Sequence, residues 1–190
     1  MTRTILYVYA LIALVYGCRD KRNATAPARR EDQSMTIQVS SPAFQQGGMI
    51  PRQYSGDGQD ISPPLHWEGI PEGTQGIALI CDDPDAPGGT WVHWVMWNIP
   101  AQASGLAEKV PPSPSLPDGS RQGINDFRRH GYGGPTPPSG THRYSFRVYA
   151  LDTQLDLPAR ATKADLSKAM QDHILAQGEL MGKYRRQGIH

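Results

Sequence analysis

From Met35 to Ser40 the residues Met-Thr-Ile-Gln-Val-Ser alternate between apolar and polar, the period of two that a half-buried strand imposes. Gly76-Ile-Ala-Leu-Ile-Cys81 is instead a continuous apolar run broken by Asp82-Asp83-Pro84, which predicts a buried strand ending in a loop. The run from Trp91 to Ile99 is rich in valine and tryptophan and stops at Pro100. Alternation returns at Tyr144-Ser-Phe-Arg-Val-Tyr-Ala-Leu151, with Tyr144, Phe146 and Val148 on one face. Near the end, Thr162 and Asp165 fit a helix-capping box, and Leu166, Met170, Ile174 and Met181 recur at near-helical spacing. That pattern predicts a helix packed on the sheet, with Gly178 marking a bend. Between the strands lie loops dense in glycine and proline, above all Pro111–Gly119 and Gly131–Gly140. Short strands joined this way predict a mainly β protein, an antiparallel sandwich with a few peripheral helices, rather than repeated βαβ units.

Composition narrows the picture further. Twenty glycines and 17 prolines among 190 residues exclude a helical bundle, because each proline inside a helix costs roughly 3 kcal/mol and each glycine roughly 1. Two cysteines exclude a disulfide-built scaffold. Lysine and arginine number 19 against 18 acids, a net charge of +1 that gives no footing for a bulk nucleic-acid binder.

The first 34 residues follow a different logic. Arg3 is followed by the uncharged apolar stretch from Ile5 to Tyr16 and then by Gly17, the layout of a secretory signal peptide and too short to span a bilayer. Leu14-Val-Tyr-Gly-Cys18 resembles a bacterial lipobox, so Cys18 is expected to carry a lipid; ordinary cleavage with an unmodified Cys18 is the alternative. Residues 18–34 are polar and charged and read as a flexible tether. The expected organisation is a signal at 1–17, the tether, and one domain over 35–190. The expected location is the cell envelope or periplasm, on a membrane through the N-terminal lipid.

Three loop-adjacent segments concentrate polar groups: Asp82-Asp-Pro-Asp-Ala-Pro-Gly-Gly89, His93 within its aromatic strand, and Gly131-Tyr-Gly-Gly-Pro-Thr-Pro-Pro-Ser-Gly-Thr-His142-Arg-Tyr144. With Tyr54-Ser-Gly-Asp-Gly and Ile61-Ser-Pro-Pro-Leu-His-Trp67, these motifs resemble the phosphatidylethanolamine-binding protein family, nearest to its bacterial Raf-kinase-inhibitor-like (YbhB/YbcL) branch. The resemblance extends from about Thr36 to Arg186 and includes the predicted helix with His173-Ile-Leu-Ala near its centre. It implies a sandwich of antiparallel sheets with a small pocket for phosphate-like anions. Matched by motif position, that pocket would use Asp83, Asp85, His93, His142 and Tyr144, with the Gly134–Gly140 loop, including Pro137 and Pro138, as one wall.

Two imidazoles and a phenol can donate hydrogen bonds to phosphate oxygens. The aspartates complicate this, because a carboxylate repels a fully ionised phosphate. An aspartate must therefore meet either a protonated phosphate or an ammonium group on the ligand, and a zwitterionic ethanolamine phosphate suits the second case. Strand alternation points Arg143 away from His142 and Tyr144, toward a structural ion pair. Cys81, ending a buried strand, is expected to be an inert core thiol. No metal-ligand spacing and no nucleophile elbow is present, so neither a metal nor another cofactor is expected, nor an enzymatic activity. The expected function is binding of a phosphate-type anion or phospholipid headgroup. The alternative is an interaction module acting on a kinase or protease, and a weak hydrolase ranks third.

Overall fold

The computed structural model describes residues 35–186, so the signal, Cys18 and tether readings lie outside the described residues. Two sheets form the framework. The larger has six strands in the order β1 (Met35–Thr36), β9 (Ile174–Tyr184), β8 (His142–Leu151), β4 (Gly76–Asp83), β5 (Trp91–Ile99) and β7 (Arg121–Gln122). The smaller has three, in the order β2 (Gln38–Ser40), β3 (Leu65–Glu68) and β6 (Gly105–Leu106). Every pairing is antiparallel except β1 with β9. The single alternating strand expected at Met35–Ser40 is thus two: β1 joins the large sheet and β2 the small one. Ile37, buried at the junction, donates its N–H to Gln177 O at 2.9 Å.

The alternation of side chains builds two cores, one on each face of the large sheet. Ile77, Leu79 and Cys81 of β4 share one face with Tyr144, Phe146 and Val148 of β8, and pack with Leu65 and Trp67 of the small sheet. Ala78 and Ile80 point the other way, against Leu166 and Met170 of the helix α1 (Lys163–Met170). Burying each of those two helix side chains contributes about 2–3 kcal/mol.

The helix is shorter than its apolar spacing suggests. The expected capping box is present, Thr162 and Asp165 bonding reciprocally, but the chain leaves the helix at Gln171 and turns through Asp172 at φ 65°. Ile174 and Met181 belong to β9, and His173 lies in the turn before it. Gly178 marks no bend: a Cβ there would come within 2.0 Å of Ile37 O, so the glycine lets strand and crossing segment meet backbone to backbone.

Strand β5 departs from regular register twice. Cys81 faces Trp94 while Asp82 faces Val92, which makes His93 an extra residue. Ile77 faces Ile99 while Leu79 faces Met96, and Asn98 in that interval adopts φ 54°. The first of these bulges positions the candidate site.

Candidate functional site

At one end of the large sheet, a cleft of about 210 Å³ is lined by Asp83, Ala86, Pro87, Trp91, His93, Phe127, Thr136, Pro137, Pro138, His142 and Tyr144. Its polar groups come from three adjacent strands. Asp83 is the last residue of β4, and its parity puts it on the face of Leu79 and Cys81. His142 and Tyr144 begin β8 on the matching face. On β5 strict alternation would set His93 opposite Trp94. The bulge instead allows Val92 and Val95 to serve one core and Trp94 and Met96 the other, while His93 enters the cleft.

Each imidazole is anchored through Nδ1. His142 Nδ1 lies 2.7 Å from Asp83 Oδ2, and Asp83 Oδ1 accepts the N–H of Asp85 at 2.8 Å. The His93 Nδ1–H donates to Gly133 O at 2.5 Å, since a carbonyl can only accept, and Gly133 N–H returns a bond to His93 O at 2.9 Å. His93 and Asp83 are only 2 % and 4 % exposed, so these bonds replace hydration that burial has removed. Burial also lowers the pKa of His93, against the raising influence of the Gly133 bond and Asp83, so the free ring is neutral near pH 7. With Nδ1 protonated in a neutral ring, Nε2 carries a lone pair.

Tyr144 is fully buried, its ring edge-on to His93 with centroids 5.1 Å apart, and its hydroxyl has no hydrogen-bond partner. Burial foremost, then the negative charge of Asp83, push its phenol well above the usual range, which keeps the O–H available as a donor. A buried hydroxyl without a partner costs about 1–3 kcal/mol, a cost that a ligand oxygen at this position would relieve.

The wall opposite the strands is tied down residue by residue. Asp60, at φ 56°, accepts the Gly134 N–H at 2.6 Å and pairs with Arg129 at 2.5 Å. A Cβ on Gly134 would stand 2.7 Å from backbone atoms of residues 54–56, so only glycine permits this approach. Asn125 donates to Gly131 O at 2.9 Å, and Tyr132 Oη donates to Tyr54 O at 2.8 Å. Phe127 packs edge-on to both His93 and Trp91, and Trp91 is 40 % exposed at the mouth.

Six of the seven residues expected in the pocket, Asp83, His93, Pro137, Pro138, His142 and Tyr144, line this one cleft. Asp85 does not. Its carboxylate turns outward to a two-pronged ion pair with Arg143, at 2.9 Å to Nε and 2.6 Å to Nη2, and the hydrogen bond from Arg143 holds its pKa down to about 2. Only its backbone N–H serves the site, through Asp83. The correction has a geometric cause: Arg143 points off the His142 face, as alternation requires, and draws Asp85 with it.

Sequence reasoning passed over Trp91 and Phe127 in the cleft, and Asp60 and Asn125 behind it. Trp91 had a local signal, standing two residues before His93 in an aromatic run. Phe127, Asp60 and Asn125 reach the site only through loop closure. Cys81 is fully buried, and burial raises its pKa well above the usual thiol value, which keeps it a neutral core residue.

Comparison with known proteins matches residues 40–185 to the family model described as phosphatidylethanolamine-binding protein. The UPF0098 protein of Methanothermobacter thermautotrophicus is 53% identical over 150 residues, spanning 79% of this chain and 99% of its own. Among solved structures, the phosphatidylethanolamine-binding protein homologue CT736 of Chlamydia trachomatis superimposes with a TM-score of 0.74 at 39% identity, covering 81% of this chain and all of its own. YbcL of E. coli, described as a member of the mammalian family of the same name, gives 0.74 at 34% identity over 80% of this chain and 99% of its own.

Proposed function

Given that the chain belongs to the phosphatidylethanolamine-binding protein family, we propose that it is a non-enzymatic binding protein for a phosphoryl group, carried on a headgroup or a small molecule. The observation that carries this reading is the Tyr144 hydroxyl, buried in the cleft without a partner, with two imidazoles among the same lining residues whose Nδ1 atoms are already committed. What remains for a ligand is one O–H and two Nε2 atoms.

This set dictates a protonation rule. A phosphate oxygen can approach Nε2 only with a proton between the two atoms, brought by a protonated phosphate or taken up by the ring. A fully ionised phosphate without that proton meets the His93 lone pair and the nearby Asp83 charge. Binding therefore takes up a proton. A zwitterionic aminoethyl phosphate further offsets Asp83 through its ammonium group. The cleft, below the roughly 300 Å³ at which drug-sized pockets begin, suits a headgroup and not acyl chains.

Export and lipidation at Cys18 belong to the same reading: a tether of residues 18–34 would hold the domain beside an envelope membrane, where phosphorylated headgroups abound. Titration calorimetry of the purified protein with phosphorylethanolamine and with inorganic phosphate tests the binding. Tyr144→Phe removes only the unpartnered hydroxyl and should weaken both ligands roughly tenfold, the worth of one hydrogen bond to an anion. Unchanged affinity in that variant would overturn the assignment.

A further inference from the structure

The buried side-chain polar atoms that lack a partner among the described residues are four: Tyr144 Oη, Ser120 Oγ, Trp97 Nε1 and Arg121 Nε. The first lines the cleft already described. Trp97 and Arg121 line a second cavity, of about 280 Å³, which shares no residue with it.

This cavity is built by the second irregularity of β5. Trp97 and Arg121 are direct cross-strand partners of β5 and β7. Trp97 is fully buried in the helix-side core. Asn98, in the bulge at φ 54°, clamps the facing segment with two bonds, Nδ2–H to Leu155 O at 2.9 Å and Leu155 N–H to Oδ1 at 2.8 Å. The segment Gln154–Leu157 thus forms a pinned wall of the cavity that Trp97 and Arg121 also line.

The unpartnered atoms of these two lining residues are both donors, and one belongs to a guanidinium. The two possible acceptors of Asn98 and Leu155 that face each other here are consumed by their mutual bonds. A donor pair of this kind, one neutral indole N–H beside one permanent cation, selects an anionic oxygen, and the planar, two-oxygen carboxylate matches it. Asp156, exposed at the rim, disfavours a ligand of high negative charge and favours one that also carries an ammonium group. We propose that the Trp97–Arg121 cavity is a second binding site, for a carboxylate-bearing ligand such as a free amino acid or the C-terminus of a peptide.

The chain has four tryptophans, so its indole N–H resonances are few and Trp97→Phe identifies the one at issue. Titrating the full-length protein with acetate, glycine and the dipeptide glycylglycine, each at matched ionic strength, should move the Trp97 indole resonance saturably. Glycine binding more tightly than acetate would point to a free amino acid. Glycylglycine binding more tightly than glycine would point to a peptide terminus. Arg121→Gln should weaken the response roughly tenfold or more, and phosphate should leave it unmoved. No saturable shift with any carboxylate, or the same shift with sodium chloride, would overturn the site. Because the wild-type titration is decisive by itself, a poorly folded variant leaves the test intact, and failure of phosphate binding at the first cleft does not bear on it.

Discussion

Asp83 and His142 face each other across the β4–β8 pair, carboxylate Oδ2 to imidazole Nδ1 at 2.7 Å, with less than a tenth of either residue exposed. The contact fixes which ring nitrogen is left for a ligand. Asp83→Ala should therefore remove phosphate binding altogether and lower the unfolding free energy by about 3 kcal/mol, since it strands a buried ring and the Asp85 N–H. Urea denaturation and phosphate titration of the same variant measure both; full stability with lost binding would mean that the pair orients without stabilising.

The neighbouring Asp82 makes a contrast that the chain order alone conceals. Its carboxylate, fully buried on the opposite face, is held by Arg147 at 2.9 Å and by Lys163 of α1. Both cations are about a third exposed and can return to water, so Asp82→Ala should cost less than a sealed buried pair, about 2 kcal/mol. Phosphate affinity should stay within twofold. A large loss of affinity would show that the two faces of the sheet are coupled.

Asp85→Asn provides the third test. Because the backbone N–H to Asp83 persists, phosphate affinity should change little, while loss of the exposed, solvent-screened Arg143 pair should lower stability modestly near pH 7. The depressed carboxyl adds stability that is present above the ordinary aspartate pKa near 4 and is lost as pH falls toward about 2. Asp85→Asn should accordingly be the less stable protein above pH 4 and converge on the parent as pH falls toward about 2, its acid-denaturation profile being the shallower one.

His93 governs a higher window. Its pKa lies below the ordinary value near 6.5, so as pH falls through that value the unfolded chain takes a proton that the folded chain refuses. Stability from this group is present above about 6.5 and declines as pH falls through the folded pKa. Between pH 5 and 7 the unfolding free energy should therefore rise more steeply in the parent than in His93→Asn. Phosphate affinity moves in the opposite sense, strengthening from pH 8 to 6 as the bound state gains its proton, helped by the second phosphate ionisation, near 6 for a monoester and higher for inorganic phosphate. Calorimetry in two buffers of different ionisation enthalpy reads that proton directly, and zero uptake would remove the protonation rule.

The Gly134 approach predicts a loop effect. Gly134→Ala must displace either the loop or residues 54–56, and since the adjacent Gly133 carbonyl anchors His93, both stability and phosphate affinity should fall. Retained affinity in a destabilised variant would separate the anchor from the wall.

How much of this was written in the chain depends on the range over which each signal acts. Alternation over Tyr144–Leu151 and the capping box at Thr162 are local, carried by residues two or three apart, and both appear in the structure as the sequence implies. The polar motifs likewise announced Asp83, His93, Pro137, Pro138, His142 and Tyr144, and also drew in Asp85, whose side chain an arginine on the other face claims. The segment Ile174–Met181 misled because its apolar spacing suits a helix, while its fate as β9 rests on pairing with β8 and on Gly178 meeting Ile37. Nothing in Trp91–Ile99 marks the bulges at His93 and Asn98, because a bulge is a mismatch between two strands and has no existence in one. The sequence by itself determined which residue types were available, the strand periods and the glycines and prolines that shape the loops. Tertiary structure alone decided which face each group serves, which donors are left unpartnered, and that Phe127 and Asn125 close on His93 while Asp60 ties down Gly134, since burial and pairing are properties of surfaces brought together from distant parts of the chain.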